Sequence, residues 1–210
     1  MKAVVLRSFG GSEQLLLENV PDPEPAFDEI ALKVATVSIN RSFDLSVRKG
    51  TYSRGAVLPL VPGADPSGTV CAIGKSVTAF KVGDRVAVMS TIACGRCQEC
   101  RRGAAASCGF SCTIGVHRWG GYAGDVLLDL KRLYVGRIQI IGAAGVNVSD
   151  LDRALAAGAR GDISATIDRV YPLECAAEAQ DYVERERPLG KVLIAPGRNF
   201  ENVRQERPSP

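Results

Sequence analysis

Four cysteines carry the strongest chemical signal in this chain. Cys94, Cys97, Cys100 and Cys108 fall within Ala93–Phe110, ACGRCQECRRGAAASCGF. Two two-residue gaps are followed by a seven-residue gap. Short gaps let sulfurs from one tight turn converge, and the longer gap brings the chain back to close a fourth corner. Thiolate is a preferred donor for tetrahedral Zn²⁺, and four protein ligands leave no open position, so the predicted site is structural. Gly95 and Gly103 give the backbone freedom to wrap. Arg96, Arg101 and Arg102 place positive charge beside a centre that is formally 2− with zinc bound. Two disulfides or four unrelated thiols are the competing readings. Cys71, Cys112 and Cys175 are read as small buried hydrophobes, with Cys112 close enough in sequence to compete as a ligand.

The remaining residues narrow the field. Asn40, Arg41 and Asp65 are weak cleft candidates, and Asp44 is read as capping or salt-bridging a local helix. His117 is the single histidine, which excludes a multi-histidine metal site. It is read as an exposed or cleft-wall side chain beside Arg118 and Trp119, since a general base needs a pocket and an activating neighbour.

The chain has 210 residues, 46% hydrophobic and 23% charged, enough to bury a core in one large domain or two small ones. A net charge of +3 is too small and too scattered for nucleic-acid binding. No apolar run reaches a membrane span, and MKAVVLRSFGG lacks the apolar centre of a signal peptide, so a cytoplasmic location is expected.

Short strands with glycine turns are predicted to position these residues. Lys2–Leu6, Gln14–Glu18, Glu29–Ser38, Leu58–Gly63, Ser67–Ile73, Arg85–Ser90 and Gly115–Leu130 are the strand candidates. In Glu29–Ser38 strict alternation puts Ile30, Leu32, Val34 and Thr36 on one face, as in a half-buried strand. Arg41–Lys49 reads as a helix or turn with Phe43, Val47 and Leu45 inward. The whole predicts an antiparallel, barrel-like β domain over residues 1–130, interrupted by the cysteine lobe at 93–110. Beyond it, Arg137–Ile141 reads as a strand and Ser149–Ala157 as a helix with Ser149 as N-cap and Gly158 at its end. Ser164–Val170 and Lys191–Ile194 read as strands flanking a helix at Glu174–Glu186. Residues 197–210 read as a polar, disordered tail.

Four motifs follow one another: VPGADPSGTV at Val61–Val70, IGKSVTAFKVGDRVAV at Ile73–Val88, the cysteine lobe, and GGYA at Gly120–Ala123. In that order they resemble the medium-chain dehydrogenase/reductases, the superfamily of zinc-type alcohol dehydrogenases and quinone oxidoreductases. The resemblance implies a mainly β fold: a GroES-like β barrel holding a small-molecule substrate, with an α+β C-terminal part. Residues 131–196 would be a remnant of a doubly wound nucleotide-binding domain and the return to the β domain. The lobe would bind one structural zinc, and NAD(P) is the family's cofactor.

The sequence departs from the family's pattern in three places. Between Asp129 and Arg137 a full member would carry the rest of the nucleotide domain, on the order of 100–150 residues. The one glycine-turn candidate, IGAAGVNV at Ile141–Val148, lacks the third glycine of a dinucleotide fingerprint, and Asp168 at the expected acidic position belongs to another segment. The family's catalytic zinc uses a Cys where this chain has VSINRSFD at Val37–Asp44, and a His where it has GAD at Gly63–Asp65. Asn40, Arg41 and Asp44 resemble the Asn-containing turn of zinc-independent members, with one extra residue between Asn40 and Asp44.

The expected function is therefore an alcohol-dehydrogenase-like zinc protein descended from NAD(P)-dependent oxidoreductases and inactive as an isolated chain. The alternatives are an oxidoreductase whose cofactor site comes from a partner chain or goes unrecognised here, a zinc-stapled interaction module, and a redox-sensing thiol cluster. Self-association through a sheet edge near Arg137–Ile141 is a further expectation.

Overall fold

The computed structural model describes residues 1–104, 107–129 and 148–197. The glycine-turn candidate at 141–147, the strand expected at 137–141 with its sheet edge, and most of the tail expected at 197–210 lie outside the described residues. The fold is mostly β with few helices.

One strand organises it. β3 (Glu29–Ser38) begins after a proline-rich approach and follows a hairpin of β1 (Lys2–Leu6) and β2 (Leu15–Asn19). Along one edge β3 pairs antiparallel with β4 (Asp65–Ile73), which in turn pairs with β5 (Arg85–Ala87). Its other edge is shared. β8 (Asp125–Asp129) takes Glu29–Lys33, and β10 (Lys191–Ile194) takes Val37 and Ser38. β9 (Ile167–Tyr171) adds beyond β10 as the only parallel strand pair among the described residues. Two short strands, β6 (Thr91–Ile92) and β7 (Cys112–Thr113), form a separate antiparallel pair.

The predicted alternation holds through Val34 and then breaks. Ile30, Leu32 and Val34 pack inward with Val70, Val88, Ile92, Ile114 and Val126. At Val34–Thr36 the register to β4 shifts, so Ala35 is the extra residue of a bulge and Val37, not Thr36, is the buried one. The first four residues, Glu29–Leu32, are all buried, Ala31 included, so the alternation is lost there. A second shift, between Ala31 and Leu32, makes Cys71 the extra residue on β4. Cys71 is consequently exposed and not the buried hydrophobe expected; Cys112 and Cys175 are half-buried.

Helix α1 (Arg41–Arg48) starts from Asn40, whose side-chain oxygen accepts from the Phe43 amide, and stops at Lys49 before Gly50, which takes φ +72°. Leu45 and Val47 are buried as predicted, while Phe43 is half-buried against Tyr52. Helix α2 (Gln98–Arg101) is a single turn in the cysteine lobe. α3 (Val148–Arg160) runs longer than expected: Ser149 lies inside it, Gly158 is passed over, and Gly161 at φ +81° follows its end. α4 (Ala176–Glu186) is entered through a 3-10 turn at Leu173–Cys175 and lays Ala176, Ala179 and Val183 on a core shared with β1, Val37, Val192 and Ile194.

A charged clamp fixes α4 to α1. The Arg48 guanidinium is 1% exposed and its Nη2 donates to Glu184 at 2.6 Å, with Lys49 pairing the other Glu184 oxygen and Asp181 3.9 Å from Nη1. A buried guanidinium is tolerated only with such partners.

Of the strands expected at Leu58–Gly63 and Gly115–Leu130, the second forms as β8 over Asp125–Asp129. Leu58–Gly63 and Gly115–Gly124 are instead irregular chains lying against each other. Leu60 exchanges two backbone hydrogen bonds with Leu6, while Pro59 and Pro62 lack the donors a ladder needs. Gly120 donates to Val61 O, Gly121 to Gly63 O, and Tyr122 to Pro62 O, at 2.7, 2.8 and 3.0 Å. A Cβ on Gly120 would overlap the carbonyl oxygens of Gly63 and Pro62. Gly120→Ala is therefore expected to lower stability by about 2–3 kcal/mol, read as a drop in the thermal midpoint, because the obstacle is backbone that cannot rotate away. Gly109→Ala, which meets nothing within 4 Å, is the control expected to leave the midpoint unchanged.

Candidate functional site

The β6–β7 pair is the base of the cysteine lobe. Its register, Thr91 opposite Thr113 and Ile92 opposite Cys112, brings the two ends of the lobe together. The chain leaves at Ala93, turns at Gly95 with φ +72°, and enters α2 through Cys97, which occupies the N-cap position with extended backbone. Gly103, at φ +86°, turns it back toward Cys108. Both positive φ values fall where glycine is the residue without a steric penalty.

This path gathers the four predicted sulfurs. The Sγ atoms of Cys94, Cys97, Cys100 and Cys108 all lie within 4.8 Å of one another. The separations are 3.5 Å for Cys97–Cys100, 3.8 Å for Cys97–Cys108 and 3.9 Å for Cys94–Cys100. A tetrahedron with Zn–S bonds near 2.3 Å has sulfur–sulfur edges of about 3.8 Å. The residues fit a tetrathiolate metal. Disulfides would need S–S distances near about 2.05 Å, and all seven cysteines are free.

The surroundings favour thiolate. The backbone amide of Cys94 donates to Cys108 Sγ at 3.4 Å. The Arg96 amide, with that of Cys97, pulls the Cys94 thiol down to about 6. Desolvation, and then the neighbouring sulfurs, push Cys100 up to about 12. A divalent cation would stabilise the fully ionised set. Arg96 and Arg101 are exposed at the lobe surface, and Arg102 pairs with Glu99.

The cleft candidates separate. Asn40 spends its side-chain oxygen on the α1 cap at 3.2 Å from Phe43 N, and Arg41 is exposed at the helix start. Asp65 opens β4 opposite Ser38; burial pushes its carboxyl above the usual range, with Lys191 opposing. Asp44 is 2% exposed, and its carboxylate accepts from the Asn40 amide at 2.6 Å, closing the helix start from the inside as the capping expectation had it. Burial, offset in part by that amide and reinforced by Asp65, raises its pKa to about 7. His117 has both ring nitrogens engaged: Nδ1 accepts the Thr113 amide at 3.0 Å and Nε2 lies 3.4 Å from Arg54 O. It pins the turn after β7.

Sequence reasoning missed the companions of Asp44. Tyr122 is fully buried, accepts from Gln180 Nε2 at 3.3 Å, and is held well above the usual phenol range, mainly by burial and then by the charge of Asp44. Gln180, also fully buried, comes from α4, so α1, the GGYA turn and α4 meet in one polar knot. A polar residue at an otherwise apolar stripe position of α4 was the available signal.

The geometry defines a GroES-like β domain carrying a four-sulfur metal lobe. Residues 26–135 match the alcohol dehydrogenase GroES-like domain, and the chain belongs to that family, within the medium-chain dehydrogenase/reductase superfamily. The quinone oxidoreductase of Lama guanicoe is 42% identical over 96 residues, 45% of this chain and 29% of that protein. Matches of this kind thus span under a third of the relative's length. In overall shape the chain is similar to an NAD-dependent alcohol dehydrogenase, with TM-score 0.79 and 21% identity over 94% of this chain and 100% of that one. It is equally similar to a thermostable alcohol dehydrogenase from Pyrobaculum aerophilum, determined with cobalt and zinc bound, with TM-score 0.78 and 20% identity over 93% and 99% of the two chains.

The buried carboxyl sets a pH dependence. An ordinary Asp ionises near 3.8, and Asp44 in the folded chain at about 7. Between these values the folded state holds a proton that the unfolded state has lost, so the Asp44 contribution to stability declines as pH rises from about 4 to about 7 and is level above. Asp44→Asn keeps an acceptor for the Asn40 amide without the charge. It is expected to be more stable than the parent at pH 8, by a few kcal/mol at most, and to flatten this slope in urea unfolding measured across pH. An unchanged slope would show that Asp44 ionises normally.

Proposed function

We propose that this chain is the substrate-side β domain of an NAD(P)-linked oxidoreductase type, holding one structural zinc in the lobe and inactive by itself. The carrying observation is the set of four sulfurs at tetrahedral spacing on a family-defining β domain. Cys94, Cys97, Cys100 and Cys108 would be the ligands, and the metal would supply a cross-link, not a reaction, since all four coordination positions are filled by protein. The thiolate set suits a reducing compartment such as the cytoplasm.

A reaction at a nicotinamide requires the protein to hold the cofactor's reactive carbon against a small-molecule alcohol, carbonyl or activated alkene. Asn40, Arg41 and Asp65 are the groups this domain would offer to such a substrate. The Cys and His of a catalytic metal site are replaced here, so no second metal is expected. The nucleotide grip would come from another chain or from residues beyond those matched.

Metal analysis of the purified chain is expected to return one zinc per chain, and Cys97→Ser to lose it. Two zinc ions per chain would reinstate a catalytic metal, and full zinc content in Cys97→Ser would refute the ligand set. Titration with NADH and NADPH, followed through Trp119 fluorescence, is expected to show no saturable quenching; micromolar binding would overturn the inactive reading.

A further inference from the structure

We propose that the lobe is a peroxide-responsive latch in which Cys97 and Cys100 are the pair that oxidises first, forming a disulfide and releasing the metal. The inference rests on the zinc assignment above and adds which sulfurs react and what the lobe does afterwards.

Two observations single out this pair, and a third sets Cys108 apart. Cys97 and Cys100 hold the shortest sulfur–sulfur separation given for the cluster, 3.5 Å, so they need the least closure to reach the bonded distance of about 2.05 Å. They sit together on α2, one at its N-cap and the other within its single turn, so closing them distorts one turn and no strand. Cys94, Cys97 and Cys100 are half-buried, whereas Cys108 is 3% exposed and its sulfur accepts the Cys94 amide.

The step balances with a hydroperoxide as oxidant. One thiolate attacks a peroxide oxygen, the O–O bond breaks, and the second thiolate displaces the resulting sulfenic oxygen. With hydrogen peroxide, two thiolates lose two electrons to form one S–S bond, and the oxidant takes up two protons to leave as two waters. Cys94 and Cys108 are then the remaining ligands, and two thiolates do not hold zinc in a tetrahedral protein site. The ion departs hydrated. A thiol reductant returns both sulfurs and permits reloading.

Apart from a metal, the described part of the lobe is held by its base strands and by Arg54, whose Nη1 and Nη2 donate to Ser111 Oγ and O at 2.7 and 3.4 Å. α2 contains no buried residue, and Phe110 is 76% exposed. The β6–β7 base is tied to the barrel through Ile92 and Ile114 in its core. Release is therefore expected to loosen the segment between the base strands and to leave the barrel intact.

The test uses the full chain freed of reductant. Zinc is counted first. One zinc per chain followed by stoichiometric release to a chromogenic chelator on addition of hydrogen peroxide is the expected result. Differential alkylation and peptide mass mapping are expected to find Cys97–Cys100 as the first disulfide. Hydrogen exchange should rise within residues 94–111 while β3 and β4 keep their protection, and dithiothreitol with added zinc should restore the starting state. The variant Cys71→Ser/Cys112→Ser/Cys175→Ser, which keeps the four ligands, is expected to release zinc at the parent rate. A chain isolated without zinc and unable to take it up would sink the zinc assignment and this inference together. Zinc bound but retained under peroxide, or a first disulfide that includes Cys94, Cys108 or Cys112, would overturn the latch alone.

Discussion

The constraint on which the fold depends is the full pairing of β3. A ten-residue strand buried at its start on both faces carries backbone groups that have no access to water, and each unpaired one is costly. β4 satisfies one edge. The other needs two strands from distant parts of the chain, β8 for the first half and β10 for the last two residues. The N-terminal and C-terminal segments therefore belong to one hydrogen-bonded unit. The Arg48–Glu184 clamp and the apolar stripe of α4 on β1 hold the same join from outside the sheet.

The lobe obeys a different economy. It has a two-strand base, one helical turn and almost no apolar interior, so the packing that stabilises the barrel is not available to it. Four sulfurs converging on one point would let a metal stand in for a core. In small zinc-dependent folds such a site is worth on the order of 10 kcal/mol. Ile92 of β6 and Ile114, the residue after β7, join the barrel's apolar core, so the lobe rests on the domain.

Local signals in the sequence were reliable where local physics decides. Glu29–Ser38 and Lys191–Ile194 were legible from apolar patterning, and the cysteine spacing gave the cluster that the coordinates bring together. The failures share a cause. The bulges that move Thr36 off the core face and leave Cys71 exposed arise from pairing with β4, which no single-strand pattern encodes. Leu58–Gly63 and Gly115–Gly124 looked like strands from composition, yet their prolines and glycines serve a close crossing of two irregular chains. Asp44 was read as capping or salt-bridging the local helix; Asn40 is the N-cap, and Asp44 accepts the Asn40 amide in return. Its burial, and the charge it sets near Tyr122, were invisible because Tyr122 and its partner Gln180 come from other elements of the fold.

That buried carboxyl ties the folding reaction to the solvent's acid–base chemistry. Near pH 6 an unfolded copy carries Asp44 as an anion, whereas the folded interior holds it mostly as the neutral acid. Folding under these conditions draws protons from the medium. The heat exchanged then includes the ionisation enthalpy of whatever buffer surrenders them. One side chain at the start of a helix thus makes the calorimetry of the whole domain depend on the choice of buffer.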